Sequence, residues 1–134
     1  MPKPAPSACV IRRSASLPAS IKSEAALAVA LGLMRGAPLP DGQITDATIW
    51  EGGDTSPAIG TAAIKAALSH RPAAAEINVD EIVTHGKAAA VSGRMTPADG
   101  GRARLFCHMI RFTSAGARTV AQVVSFDHPA PQQA

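Results

Sequence analysis

The residue best suited to do chemistry in this sequence is His108, which occupies a position where the local pattern calls for an apolar side chain. The stretch 102–127 (RARLFCHMIRFTSAGARTVAQVVSFD) predicts two extended segments joined by a short Ser-Ala-Gly turn. Alternate strand residues point the same way, so the neighbours of His108 on its face are Phe106, Ile110 and Phe112. A buried imidazole must satisfy both ring nitrogens or cost about 1–3 kcal/mol. His108 is therefore either a structurally satisfied histidine or a hydrogen-bond donor or general acid/base in a pocket.

Two carboxylates are the candidate partners of this histidine. Glu51 follows the only tryptophan, Trp50, and precedes two glycines. Asp127 ends the last predicted strand. A general base at either position would need a sheltered environment. The alternatives are a strand-end carboxylate in water for Glu51 and a cap of local backbone groups for Asp127. Trp50 is expected to contact a ligand, the core or a partner subunit, because its ring buries a large area and its N–H requires an acceptor.

Length and composition exclude several classes of protein. The chain has 134 residues, which is enough for one domain with a single core. Its net charge is +3, no Lys/Arg stripe occurs, and aromatic residues make up 3%, with no tyrosine. Nucleic-acid binding is not expected, because neither a basic surface nor stacking platforms are available.

Cysteine usage and hydropathy indicate a protein without a metal, cofactor or membrane segment. Cys9 and Cys107 lie far apart and have no Cys/His ligand spacing, so we expect no metal and no disulfide framework. No apolar run is long enough for a signal peptide or a membrane span. We expect a cytoplasmic protein without a cofactor.

The elements that must position these residues follow an α+β order. A helix is predicted over 21–35, with Ser20 as its N-cap and Gly36 as a left-handed stop. A strand over 44–51 and a second helix over 61–70 follow. The remaining predicted strands are 76–84, 87–95 and the two segments of the hairpin within 102–127. We therefore predict a curved antiparallel sheet packed against N-terminal helices. Residues 20–128 form the domain, 1–19 a tail or short edge segment, and 129–134 a C-terminal tail.

Four short motifs connect the sequence to a known superfamily. They are 46–49 (DATI), 60–64 (GTAAI), 108–112 (HMIRF) and 126–127 (FD). In this order the sequence resembles the nuclear transport factor 2-like superfamily, which includes SnoaL-type cyclases, ketosteroid isomerases and limonene-epoxide hydrolases. The resemblance spans about 21–127 and implies a cone whose pocket lies between the bent sheet and the helices.

The resemblance also implies roles for individual residues. Glu51 matches the proton-shuttling carboxylate of ketosteroid isomerases, and His108 matches a group that hydrogen-bonds the substrate oxygen. Asp127 matches one carboxylate of the epoxide hydrolases. The implied catalytic residues are thus His108, Glu51 and Asp127. The implied ligand-binding residues are Trp50, Phe106, Ile110 and Phe126.

Two functions follow from the resemblance. The first is binding of a small apolar oxygenated molecule, with acid/base isomerase or lyase chemistry through His108 and Glu51 or Asp127. The second is a non-catalytic dimerisation or ligand-binding module on the same scaffold. The second gains weight because the oxygen-binding tyrosine of the isomerases has no counterpart, and Gly93-Arg94-Met95 stands where the hydrolases have Arg-x-Asp.

The final hairpin also predicts a homodimer. Leu105, Cys107 and Met109 make its second face apolar as well. A sheet that is apolar on both faces requires cover on the side away from the helices, and a second copy of the chain would supply it. Arg94, Arg104 and Arg111 are expected at solvated strand positions or at this interface; an arginine directed into the cone would instead indicate an anionic ligand.

Overall fold

The structure, a computed structural model, describes residues 9–52 and 56–131. Parts of the predicted tails, at 1–8 and 132–134, lie outside the described residues. The elements in chain order are β1 Val10–Arg13, α1 Ile21–Leu33, β2 Ile49–Gly52, β3 Ala58–Ile59, α2 Thr61–Ser69, β4 Ala74–His85, β5 Ala88–Pro97, β6 Arg104–Phe112 and β7 Val120–Pro129.

The strands form one mixed sheet in the order β1-β4-β5-β6-β7-β2-β3. β4 to β7 pair antiparallel, as predicted, whereas β1 joins β4 and β2 joins β7 in parallel. α1 contacts β4 and β5, and α2 contacts β3. The predicted α+β class, with helices packed on a curved sheet, is confirmed.

α1 begins as predicted but ends earlier. Ser20 caps it by accepting a hydrogen bond from the Ser23 backbone N–H at 3.1 Å. The helix ends at Leu33, and the left-handed residue after it is Arg35, with φ of 56°. The prediction of a left-handed Gly36 was therefore wrong.

Gly36 has a different reason to be glycine. A Cβ at this position would lie 2.4 Å from Cδ1 of Ile77 and 3.1 Å from Sγ of Cys9. The absence of a side chain lets the segment after α1 approach β4 this closely.

The strand predicted over 44–51 is shorter in the structure. Residues before Ile49 form a turn, in which the Thr45 backbone N–H donates to Oγ1 of Thr48 at 2.9 Å and the Thr48 N–H donates to the Thr45 carbonyl at 3.1 Å. Oγ1 of Thr48 in turn donates to the Val120 carbonyl at 2.7 Å. Side-chain hydroxyls here satisfy backbone groups that a strand would have paired, which explains the shift of the boundary.

The sheet is irregular where β4 meets β5. The register shifts between Val79 and Glu81, so β4 carries a bulge, and bulges bend and twist a strand. Gly93 pairs with Val79 opposite this bulge, and a Cβ on Gly93 would lie 1.9 Å from the Asn78 carbonyl oxygen. The close approach of the two backbones requires glycine here.

The inner face of the sheet and α1 form the core. Its largest fully buried side chains include Leu33, Ile77, Val79, Val91, Ile110, Phe112, Val120 and Val123. Among the described residues, neither helix has the length and apolar character needed to span a membrane.

Candidate functional site

A cavity of about 250 Å³ lies between the end of α1, the segment after α2 and strands β5 to β7. Its walls are mostly apolar, with charged side chains from the segment after α2 and from the ends of β6 and β7. The lining residues are Leu33, Met34, Gly52, Arg71, Pro72, Met95, Arg104, Phe106, His108, Ser125, Phe126 and Asp127.

His108 is buried in the wall of this cavity, with 4% of its surface exposed. It lies on the inner face of β6, and its ring centroid is 5.4 Å from that of Phe106. Nδ1 lies 2.7 Å from Oγ of Ser125, to which Nε1 of Trp50 donates at 2.9 Å. The three side chains form a buried chain of hydrogen bonds across β6, β7 and β2.

The contacts of this chain favour one tautomer of His108. The indole of Trp50 can only donate, so Oγ of Ser125 is an acceptor toward it. The one acceptor available to the Ser125 hydroxyl proton, among the contacts described, is Nδ1 of His108. In the tautomer that satisfies this hydroxyl, Nδ1 accepts and Nε2 carries the ring proton. Nε2 is buried and has no hydrogen-bond partner within the described part of the chain.

His108 is neutral at physiological pH. Burial chiefly lowers its pKa from 6.5 to about 4, and the positive charge of Arg71 lowers it further, against an opposing effect of Asp127. A neutral imidazole with a proton on Nε2 can donate a hydrogen bond to an oxygen or stabilise an oxyanion, but it does not carry the additional proton of an imidazolium acid.

Arg71, which the sequence did not single out, lines the same cavity and is the cation whose charge lowers the pKa of His108. It follows the end of α2, where its backbone N–H donates to the Leu68 carbonyl at 3.0 Å and Pro72 prevents the helix from continuing. Its guanidinium carbon lies 4.6 Å from the centre of the Trp50 ring, which is a cation–π contact. Arg71 thus lies over the tryptophan that anchors Ser125.

Arg104 and Asp127 contribute an ion pair to the cavity. Nε of Arg104 lies 2.7 Å from Oδ2 of Asp127, and the two side chains are 36% and 45% exposed. Both residues line the cavity, so the ion pair forms part of its wall. Asp127 shares the cavity with His108, but its charge is compensated by Arg104.

Glu51 lies apart from these residues. It accepts a hydrogen bond from Nε2 of Gln122 at 2.8 Å and is absent from the lining of the cavity. Adjacent strand residues face opposite sides, and Trp50 takes the side of His108. The structure therefore brings Asp127, but not Glu51, to the cavity of His108.

Of the four predicted ligand-binding residues, two line the cavity and two do not. Phe106 and Phe126 line the cavity. Trp50 lies behind Ser125 and borders an adjacent cavity of about 290 Å³, which also includes Gly52 and Arg71. Ile110 is a core residue with 2% exposure and does not line the site. Within residues 9–52 and 56–131, no group of three His, Cys, Asp or Glu side chains is arranged to hold a metal ion.

The chain is similar to known proteins in its structure and not in its sequence. No protein-family model matches the sequence, and no curated protein matches it significantly. Its structure is similar to an NTF-2 like protein of unknown function from Burkholderia xenovorans, with a TM-score of 0.63 and 17% identity over 83% of this chain and 85% of the other.

Two further solved structures are similar. An NTF2-like protein of unknown function from Cytophaga hutchinsonii has a TM-score of 0.60 at 14% identity, covering 80% of this chain and 99% of the other. A ketosteroid isomerase-like protein from Erwinia carotovora has a TM-score of 0.50 at 18% identity, covering 83% and 95%. The predicted resemblance is confirmed at the level of the scaffold: the chain has the nuclear transport factor 2-like fold.

Proposed function

We propose that the protein binds a small, largely apolar molecule in the cavity and that Nε2 of His108 donates a hydrogen bond to an oxygen of this ligand. The observation that carries the proposal is the buried Nε2 of His108, which has no hydrogen-bond partner among the described residues. Leaving such a donor unsatisfied costs about 1–3 kcal/mol. A ligand oxygen within about 3 Å of Nε2 would remove this cost.

The surroundings of His108 support binding of an apolar body. Phe106, Met95 and Leu33 contribute apolar wall to the cavity, and ligand sites combine such walls with a few polar groups that fix orientation. The Trp50–Ser125 chain holds the imidazole in one tautomer before a ligand arrives. A pre-oriented donor loses little freedom on binding.

Acid/base catalysis is the second candidate. It is favoured by Asp127, whose carboxylate lines the same cavity as His108. In this function Asp127 would take a proton from the ligand, and His108 would stabilise the negative charge that develops on the ligand oxygen. The carboxylate of Asp127 is already engaged in the ion pair with Arg104, so we place binding before catalysis. The proton-transfer role of Glu51 stays a separate prediction.

The binding function is tested with small ketones and amides that contain one ring. We expect saturable binding, read from the fluorescence of Trp50, the only tryptophan, and from titration calorimetry. His108→Phe should weaken binding by about tenfold, because the ligand oxygen loses its donor. His85→Phe, at an exposed position on β4, is the matched control and should bind like the wild type. Equal affinities for the wild type and His108→Phe would disprove the role of Nε2.

We also propose that the protein forms a homodimer through the outer face of β6 and β7. Cys107 pairs with Phe126 and Met109 pairs with Val124 across these strands. Met109 is 53% exposed, and Phe126, which also borders the cavity, is 57% exposed. The described elements leave both side chains largely uncovered. Exposed apolar patches of this kind indicate association, and a second copy offers a self-complementary surface.

The dimer is tested by the mass of the protein in solution. We expect twice the chain mass of 13.6 kDa at micromolar concentration, measured by light scattering or sedimentation. Met109→Lys should shift the protein to monomer, because a charge at the centre of the patch must be desolvated on association. Ile21→Lys, at a position 86% exposed on α1, should leave the mass unchanged. A wild-type monomer at this concentration contradicts the proposal.

A further inference from the structure

Among the described residues, the charges around the cavity do not cancel. Arg104 and Asp127 neutralise each other across 2.7 Å, and His108 is neutral. The third charged group, Arg71, forms no ion pair with any described carboxylate; the ion pairs in residues 9–52 and 56–131 involve Arg12, Arg13 and Arg104. The described part of the cavity therefore presents one uncompensated positive charge.

The position of Arg71 leaves its donors available to a ligand. One face of the guanidinium is occupied by the Trp50 ring, at 4.6 Å, and Trp50 is held in turn by Ser125. A stacked guanidinium keeps its N–H groups directed outward in the plane, where they match the two oxygens of a carboxylate. Arg71 is half-buried, so its charge is screened less than that of a surface arginine.

His108 lines the same cavity as Arg71. Nε2 is buried and unpartnered among the described residues, and Arg71 is close enough to His108 to disfavour its protonation. An anion between these groups would accept hydrogen bonds from both. An uncharged ligand would satisfy His108 but leave the charge of Arg71 uncompensated.

We propose that the ligand is a monocarboxylic acid with a small apolar body, whose carboxylate pairs with Arg71 while His108 donates to one of its oxygens or to an oxygen next to it. This inference rests on the proposed binding function and adds the chemical class of the ligand. The cavity of about 250 Å³ limits the size of the apolar body. A cavity of about 150 Å³ binds benzene, so one ring with a short acidic substituent fits.

The test compares phenylacetate with 2-phenylacetamide, which has the same shape without the charge. Binding is measured by titration calorimetry and by the fluorescence of Trp50 at neutral pH. We expect the wild type to bind phenylacetate at least about tenfold more tightly than the amide. The preference should weaken as salt concentration rises, because the attraction is partly screened.

Two variants test whether Arg71 causes the preference for the acid over the amide. Arg71→Gln should bind both compounds with similar affinity, because it removes the charge and keeps a planar group over Trp50. Arg118→Gln removes the same charge from an exposed position in the turn between β6 and β7 and should keep the wild-type preference. Urea titrations establish that both variants are folded.

The outcomes separate the two proposals. Equal binding of acid and amide by the wild type, or a preference that persists in Arg71→Gln, overturns the carboxylate inference. In that case amide binding that is lost in His108→Phe still supports the binding function. If neither compound binds at millimolar concentration, and the uncharged ring compounds fail as well, both proposals are wrong.

Discussion

Replacing Gly93 with alanine is expected to destabilise the protein by about 3 kcal/mol or more. The added Cβ would lie 1.9 Å from the Asn78 carbonyl oxygen and 3.2 Å from the Asp80 backbone nitrogen. Neither atom belongs to a flexible side chain, so β4 must move away from β5 or lose part of its pairing. The measurement is the free energy of unfolding from urea titration.

Gly116→Ala is the control for this substitution. A Cβ on Gly116 would meet only Oγ of Ser114, at the ordinary contact distance of 3.6 Å, so we expect a change within about 0.5 kcal/mol. An unfolding free energy of Gly93→Ala close to that of the wild type would show that the two strands are not held this closely. Hydrogen exchange of the β4 and β5 amides locates the damage if Gly93→Ala remains folded, because these amides should lose protection first.

Acidification is expected to destabilise the protein through His108 by about 3 kcal/mol between pH 6.5 and pH 4. Its pKa is lowered on folding from 6.5 to about 4, chiefly by burial. In this window the unfolded chain binds a proton at His108 and the native chain does not. Stability therefore rises with pH through the window, is fully present above pH 6.5 and is lost on acidification toward pH 4.

The measurement compares urea titrations at several pH values for the wild type and His108→Phe. All other titratable groups are common to the two proteins, so the difference between the two pH profiles isolates the histidine. We expect the profile of His108→Phe to be flatter by about 3 kcal/mol across the window. Parallel profiles would mean that His108 ionises as easily in the folded protein as in the unfolded chain. His85→Phe controls for loss of an exposed histidine and should keep the wild-type slope.

The strand pattern of the final hairpin predicted the placement of His108 because alternation is a local property. Phe106, Ile110 and Phe112 are buried on its face, while Met109 is exposed on the other. The same two-residue period places Ser125 on the inner face with Val123. The alternation in β7 could therefore have identified Ser125 as the partner of His108. It also separates Glu51 from Trp50, since adjacent strand residues face opposite sides.

The contribution of Arg71 could not be predicted in this way. Its position beside the cavity depends on the contact of its guanidinium with Trp50 of β2, which forms between separate elements. No local period relates Arg71 to Trp50 or His108. The parallel pairing of β2 with β7 could not be predicted from a local pattern either, because Trp50 pairs with Val123, which lies more than half of the sequence away.

The edge strand β1 affects both the folding of the protein and its tendency to aggregate. Its four residues pair with Glu76–Val79 of the much longer β4, so the ends of a very long loop must meet before this pairing forms. Such a strand is expected to join the sheet late in folding and to detach first, which would leave the backbone of β4 open to another chain. The bulge after Val79, together with the charges of Asp80 and Glu81, makes that edge a poor template for such pairing. The irregularity that bends the sheet thus also protects the protein against aggregation while its edge is uncovered.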